Sequence, residues 1–429
     1  MGPGNGLSGP GRGPGPDRDA DADAATDADA VTDADTVTDA DAGWMRLALD
    51  LAATGEGHVE PNPMVGCVLV RDGRLIGRGY HRRFGGPHAE ADALAGCDDA
   101  RGATAYVTLE PCCHQGKTPP CADALIAAGV TRVVAAMRDP FPKVDGGGLA
   151  RLTAAGIEVR VGLLQDQAEE LNAAYLKRVR LGLPWVIAKW AMTLDGRIAT
   201  VAGESQWITG PAARRETHRL RGRVDAVAVG MGTVVADDPR LTARDIDGPP
   251  PRHAARVVFC RHRVPSPRSR LLADLPQAPL VIVAGPDVDP LALARLRDAG
   301  ATTWETESAD PRAAVTQALR RSVERPWGEG SPATTWMVEG GGRLLASFFE
   351  ADHIDEVHVY LGPRLFGGQA APGPIAGAGI DRLASAPRFR LTSLDRMEDD
   401  ARLVFRRQDP GRQDPGRQAR KFSESPGRG

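Results

Sequence analysis

The apolar positions change period several times along the chain. Met45, Ala48, Leu49 and Ala52 recur at helical spacing and Gly55 ends the run, so a helix is expected there. Strands follow over 65–70 and 75–80 around an Asp72-Gly73 turn, the pattern of a hairpin. Next come a short helix from His88, a strand over 104–109, a helix over 122–128 and a strand over 130–136. Gly156 then separates a helix from a strand over 157–161. A helix over 165–181 runs into Gly182-Leu183-Pro184, the strongest punctuation in the chain. Beyond it, apolar runs predict strands over 185–192, 226–230, 257–260, 280–284, 334–339 and 356–361. Helices near 211–221, 290–298, 311–323 and 343–350 separate them, with Pro-, Gly- or Arg-rich loops at 244–256 and 324–333. Strands alternating with helices on both sides of Pro184 predict two α/β domains, 44–183 and 184–407.

Composition agrees with two cores: 429 residues, 42% of them hydrophobic. No apolar run approaches the roughly 18 residues of a membrane helix, and no basic start leads into an apolar stretch, so a cytoplasmic protein is expected. The net charge of −3 is unevenly spread. Residues 1–43 hold ten aspartates against two arginines, mostly in Asp-Ala and Thr-Asp-Ala repeats, and are expected to be disordered. Residues 408–429 repeat Gln-Asp-Pro-Gly-Arg twice and are expected to be disordered as well. The remainder carries about +3, and with 5% aromatics this argues against a nucleic-acid partner. Six unevenly placed cysteines do not form a disulfide framework.

Five of those cysteines fall between Cys67 and Cys121. His88-Ala89-Glu90 stands at an expected helix start, with Cys112 after Pro111 and Cys121 beyond it. One imidazole and two thiolates suit zinc and leave a fourth position open for a water, which the metal would activate. Glu90 could then move a proton from that water to a leaving amine. Zinc nucleobase deaminases carry H-x-E with P-C-x-x-C; here the second spacing is C-x8-C. Cys113 or His114 as a fourth ligand would make a closed structural site, but that leaves Glu90 without a role. Cys67, in an apolar strand, and Cys97, at a helix end, are expected to be packed or idle.

The second half contains no G-x-G-x-x-G. It does place Gly230-Met231-Gly232-Thr233 after a strand and Glu339-Gly340-Gly341-Gly342 before a helix. Such turns let backbone N–H groups approach a phosphate, although many are plain turns. Lys189 lies in an apolar strand, where a lysine needs a partner.

These motifs resemble, in order, the bifunctional riboflavin-biosynthesis deaminase/reductase family over about residues 44–407. The first half does so through Pro61-Asn62-Pro63-Met64-Val65-Gly66, Gly79-Tyr80-His81, His88-Ala89-Glu90 and the run from Glu110-Pro111-Cys112 through Gly116-Lys117-Thr118-Pro119-Pro120-Cys121. The second half does so through Lys189-Trp190-Ala191-Met192-Thr193-Leu194-Asp195-Gly196-Arg197, Gly203-Glu204-Ser205-Gln206-Trp207, Gly230-Met231-Gly232-Thr233 and Val338-Glu339-Gly340-Gly341. The resemblance implies a cytidine-deaminase-like three-layer α/β/α domain followed by a dihydrofolate-reductase-like α/β domain. It implies zinc on His88, Cys112 and Cys121 with Glu90 as proton shuttle. Pyrimidine contacts would come from Asn62 and His81, and ribose-phosphate contacts from His114 and Lys117.

For the second half it implies an NADPH site lined by Trp207, Thr233, Asp237 and the stretch Gly341, Gly342, Arg343, Leu344, Leu345, Ala346 and Ser347. Ser205, Arg221, Leu241, Arg244 and Glu339 would hold the substrate, the two arginines on its phosphate. Lys189 and Glu339 would meet the ribose where hydride arrives. The implied substrate is a pyrimidine ribose phosphate, first deaminated and then reduced, and the implied assembly a homo-oligomer. Two places depart from the family pattern: Phe141 in Asp139-Pro140-Phe141-Pro142, where the family has Asn, and the segment 256–263. They keep open a deaminase whose reductase half has decayed. A nucleic-acid-editing deaminase and a zinc-stapled, nucleotide-binding scaffold stay open beside it.

Overall fold

The structure is a computed structural model that describes residues 38–115, 119–248, 252–325, 327 and 331–408. The first half contains α1 (Asp39–Ala53), β1 (Gly66–Arg71), β2 (Arg74–Tyr80), α2 (Ala89–Ala95), β3 (Thr104–Val107), α3 (Cys121–Ala127), β4 (Arg132–Ala135), α4 (Gly147–Ala154), β5 (Glu158–Val161), α5 (Gln165–Leu171) and α6 (Ala173–Leu181). Its five strands order as β2-β1-β3-β4-β5. β1 runs antiparallel to β2 and β3, while β3, β4 and β5 are parallel. Alternation along β1 divides the two faces. Val68 and Val70 pack with Met45, Ala48 and Leu49 of α1 and with Ala168 and Leu176 of α5 and α6. Cys67 and Leu69 pack with Ala89, Ala93, Ala122, Leu125 and Leu152 of α2, α3 and α4. The result is the expected three-layer α/β/α sandwich.

The first helix starts earlier than Trp44, at Asp39. Thr38 caps α1, and Asp41 is buried at 4% exposure. Its carboxylate accepts hydrogen bonds from Thr38, the Tyr106 hydroxyl and Arg132. Burial alone would raise its pKa, but these bonds outweigh it and carry the group down to about 2. In sequence Asp41 is indistinguishable from the repeat before it, because its partners lie on β3 and β4. Residues 1–37 and 409–429, for which disorder is expected, lie outside the described residues. The expected 165–181 helix is two helices. Asn172 interrupts it and turns its amide onto Met64, accepting from the backbone N–H at 2.8 Å and donating to the carbonyl at 2.9 Å.

The second half contains β6 (Trp185–Met192), α7 (Pro211–Arg221), β7 (Ala226–Gly230), α8 (Met231–Asp237), β8 (Ala255–Cys260), α9 (Arg270–Ala273), β9 (Leu280–Ala284), α10 (Pro290–Asp298), β10 (Thr302–Glu305), α11 (Pro311–Glu324), β11 (Thr335–Val338), α12 (Gly342–Glu350), β12 (Glu356–Leu361), β13 (Phe389–Met397) and β14 (Asp400–Arg407). Nine strands order as β10-β9-β8-β7-β11-β6-β12-β14-β13. The run from β10 to β12 is parallel and the β13–β14 hairpin closes one edge antiparallel. β10 and this hairpin carry at most three consecutive apolar residues, Leu403 to Phe405 of β14, which is why the hydrophobic pattern passes over them. One face packs Val186, Ala188, Trp336 and Val338 with Phe348 and Leu319 of α12 and α11. The other packs Ile187, Val229 and Met337 with Val234, Leu271 and Leu293 of α8, α9 and α10. Lys177 of α6 ties the halves together through a buried 2.5 Å pair with Asp355, which also accepts from Val186 N–H at 2.7 Å. Among the described residues no helix is long and apolar enough to cross a membrane.

Candidate active sites

His88 is the N-cap of α2, Cys121 the first residue of α3, and Cys112 lies in the loop after β3. The fold brings their ligand atoms within 4.8 Å of one another. The Nδ1 of His88 stands 3.5 Å from the Cys112 sulfur and 3.3 Å from that of Cys121. Hydrogen bonding from Cys121 and then from His88 draws the Cys112 thiol down, while the same pairing and burial push Cys121 up. A nitrogen and two soft sulfurs converging this closely fit zinc.

Glu90 follows one residue into α2 and is 3% exposed. Burial, then the negative Cys112 sulfur, raises its carboxyl to about 7. His81 faces His88 edge-on, with ring centroids 5.4 Å apart. The His81 Nδ1 lies 2.9 Å from the Pro87 carbonyl and therefore carries the proton; Nε2 accepts from the Asn62 amide at 3.1 Å. Burial keeps this ring neutral by lowering its pKa. The half-buried His114 has an Nδ1 with no partner among the described residues, and its ring centroid is 6.3 Å from that of Phe141. Lys117 lies outside the described residues.

Glu110 precedes Pro111-Cys112 in sequence, yet its part shows only in three dimensions. Its carboxylate accepts backbone N–H groups of Asp139 at 3.2 Å, Gly146 at 3.0 Å and Gly148 at 2.9 Å. This fastens the 139–148 loop directly behind Cys112. Gly148 sits so near that a Cβ there would lie 1.9 Å from the Pro111 carbonyl oxygen. The only signal in the sequence is a carboxylate ending an apolar strand with no cation close by.

In the second half, the Glu339 carboxylate is held by Arg221 of α7, and Lys189 of β6 lies on the same sheet face. Burial would raise the Glu339 pKa, but Arg221 and then Lys189 outweigh it and carry it to about 2. Burial lowers the Lys189 pKa. Its ammonium lies 5.2 Å from the centre of the Tyr360 ring, a cation–π contact. The Arg221 fork is therefore engaged by a carboxylate, where a substrate phosphate was expected. Arg244 is half-exposed and paired only loosely, 3.7 Å from Asp245.

Trp207 is 60% exposed, which excludes a core aromatic, and the Arg214 guanidinium stacks over it at 4.6 Å. Gln206 donates to Asp237 at 3.0 Å, joining the Trp207 loop to the end of α8. Ser205 is half-buried beside them. Thr233 abuts the glycine turn before α12: a Cβ on Gly340 would meet its hydroxyl oxygen at 2.8 Å. Gly341 caps α12 with φ 65, so Gly342 and Arg343 open that helix. Leu344, Leu345, Ala346 and Ser347 are buried, and Ser347 bonds back to the Arg343 carbonyl at 3.1 Å. Leu344 and Leu345 pack in the core, so within 341–347 the accessible part is the turn and the first helical residues, Gly341 to Arg343. Leu241 is likewise 2% exposed and packed in the core. A glycine turn in which a Cβ on Gly340 would lie 2.8 Å from the Thr233 hydroxyl, opening a nine-residue helix, fits a dinucleotide phosphate.

Residues 38–137 match the zinc-binding region of cytidine and deoxycytidylate deaminases, and residues 184–403 match the RibD C-terminal domain. Fold and site together define a zinc deaminase joined in one chain to a reductase. The riboflavin biosynthesis protein RibD of Haemophilus influenzae is 41% identical over 374 residues, covering 84% of this chain and 96% of that protein. The structure of Acinetobacter baumannii RibD superposes with a TM-score of 0.75 at 36% identity, covering 86% of this chain and 99% of that one. A Thermotoga maritima structure described as a diaminohydroxyphosphoribosylaminopyrimidine deaminase/5-amino-6-(5-phosphoribosylamino)uracil reductase gives 0.71 at 33% identity, with 86% and 99% coverage. The chain belongs to the RibD family of bifunctional riboflavin-biosynthesis enzymes, with zinc and NADPH as its cofactors.

Proposed function

We propose that this chain deaminates 2,5-diamino-6-ribosylamino-4(3H)-pyrimidinone 5′-phosphate and then reduces the ribosyl group of the resulting aminouracil to ribityl. The observation carrying this is the co-occurrence, in one chain, of the His88–Cys112–Cys121 cluster beside buried Glu90 and the Lys189–Glu339–Arg221 group beside a glycine turn. Residues 44–183, extended back to 38, form the deaminase, and 184–407 the reductase.

His88, Cys112 and Cys121 hold the zinc, which when bound supplies the Lewis acidity that makes water nucleophilic near neutral pH. Glu90 takes one proton of the attacking water and delivers it to the ring nitrogen, then takes the remaining hydroxyl proton and passes it to the departing amine, which leaves as ammonia. Asn62 and His81 present an amide and a neutral imidazole to the pyrimidine, while His114 and Lys117 receive the ribose phosphate. In the reductase, NADPH when bound supplies the hydride. Trp207, Thr233, Asp237 and the turn of Gly341, Gly342 and Arg343 hold it. Lys189 donates to the ribose oxygen as C1′ is reduced, Glu339 orients that ammonium, and Arg221 orients Glu339. Ser205 and Arg244 hold the substrate and its phosphate.

The protein is read as a cytoplasmic homo-oligomer acting on a small molecule. The small net charge of residues 44–407 supports a small-molecule substrate over nucleic acid. Mass spectrometry of the product, with and without NADPH, tests the two steps together. Replacement of an amino group by oxygen is expected without NADPH, and a gain of two hydrogens when it is added. Deamination that stops there would point to a decayed reductase half, and no product with zinc bound would sink the proposal.

A further inference from the structure

The turn carrying Asn62 is gripped from the other half of the molecule. Arg252, in the loop before β8, uses all three arms of its guanidinium. Its Nε donates to the Gly57 carbonyl at 3.1 Å, and its Nη2 to the Glu60 carboxylate at 2.5 Å. Nη1 donates to Asp225, whose second oxygen accepts the backbone N–H groups of Thr334 and Thr335 at 2.7 and 2.9 Å. Asp225 therefore anchors the guanidinium to the start of β11, a central strand of the second sheet. The other Glu60 oxygen accepts the Gly57 N–H at 3.0 Å, so one ion pair closes the turn on itself. Both side chains are largely buried, Arg252 at 17% exposure and Glu60 at 13%.

Two residues further on, the Asn62 N–H bonds to the Val59 carbonyl at 3.0 Å, and its amide reaches His81. The grip is thus separated from a proposed pyrimidine contact by one short hydrogen-bonded turn. A charge-assisted, three-armed clamp on so short a lever sets where that amide stands.

We propose that Arg252, from the reductase half, is a positioning residue of the deaminase site, holding the 57–62 turn so that Asn62 meets the substrate in register with His81. This rests on the assignment of Asn62 and His81 to the pyrimidine. It gives the fusion of the two halves a chemical consequence, since part of the deaminase pocket takes its shape from the second sheet.

The test uses the full chain with R252A, E60A, E60Q and the R252A/E60A double variant, with deamination and reduction measured separately. R252A is expected to raise the deamination KM about 10- to 100-fold, the range for losing a charged, pre-organising contact, with kcat changed far less. Reduction of the preformed aminouracil and zinc content stay at wild-type values. E60A reproduces the KM effect, and the double variant is no worse than the poorer single one, because both remove one interaction. E60Q, which can still accept from Arg252, recovers part of the loss. An unchanged deamination KM in R252A, or losses that multiply in the double variant, would overturn the proposal. So would equal loss of both activities together with zinc, which marks general damage. Wild-type protein that reduces but does not deaminate would instead overturn the deaminase assignment itself.

Discussion

Arg221 and Glu339, 118 residues apart, meet as a two-pronged pair: Nε donates to Oε1 at 2.5 Å and Nη2 to Oε2 at 2.8 Å, with side chains 12% and 8% exposed. Arg221→Met leaves the buried carboxylate without its hydrogen-bonded partner, with the Lys189 charge as the main remaining compensation, and is expected to cost about 3–5 kcal/mol. Arg221→Met with Glu339→Gln should recover much of that. Thermal melts of the three proteins at neutral pH check it.

The same pair gives a pH dependence. The Glu339 pKa falls from 4.5 to about 2 on folding, so its contribution to stability is complete above pH 4.5 and is lost as pH drops towards 2. Between pH 5 and pH 3 the wild-type melting temperature should therefore fall more steeply than that of Glu339→Gln. Parallel curves would show that the carboxylate does not titrate in this way.

Lys189 stands over the Tyr360 ring on the face shared with Glu339, on a strand of the second sheet, whereas the cysteine cluster belongs to the first half. Lys189→Met keeps the length and packing of the side chain and removes its charge. Reduction should become undetectable while deamination kinetics stay unchanged. Equal damage to both steps would show that the two sites are not separable at this residue.

Glu90 is buried beside the cluster without being one of its three ligands. Glu90→Gln should retain stoichiometric zinc and lose at least about 10²-fold in deamination, the low end for a proton-transferring residue. Metal analysis alongside single-turnover rates measures both. Full activity with bound zinc would remove Glu90 from the mechanism.

Gly148→Ala puts a Cβ where the Pro111 carbonyl oxygen stands, 1.9 Å away, next to the ligand Cys112. The backbone must move, at a cost of about 1–3 kcal/mol for overpacking. Zinc affinity should fall while NADPH binding is retained, as read by competition with a chelator and by fluorescence titration.

Much of this protein is written locally. Apolar period places most helices and strands, and Gly182 ends α6 in the left-handed conformation at φ 63, as such a glycine is expected to. The spacing of His88, Glu90, Cys112 and Cys121 announces a metal site before any fold is known, because the ligand types are rare and chemically specific. What sequence cannot show is which distant charge meets which. Arg221 reads as a phosphate ligand until β11 brings Glu339 to it, and Asp41 reads as one more acidic repeat until β3 and β4 supply Tyr106 and Arg132. Leu344, Leu345 and Leu241 fall within binding motifs yet turn into the core. Glu110 and Arg252 serve backbone groups and carboxylates that local pattern does not mark. Period and motif encode short-range geometry, whereas the partner of a buried charge is set by strand order and by which helix face is sealed. Those are decided only when the whole sheet is assembled.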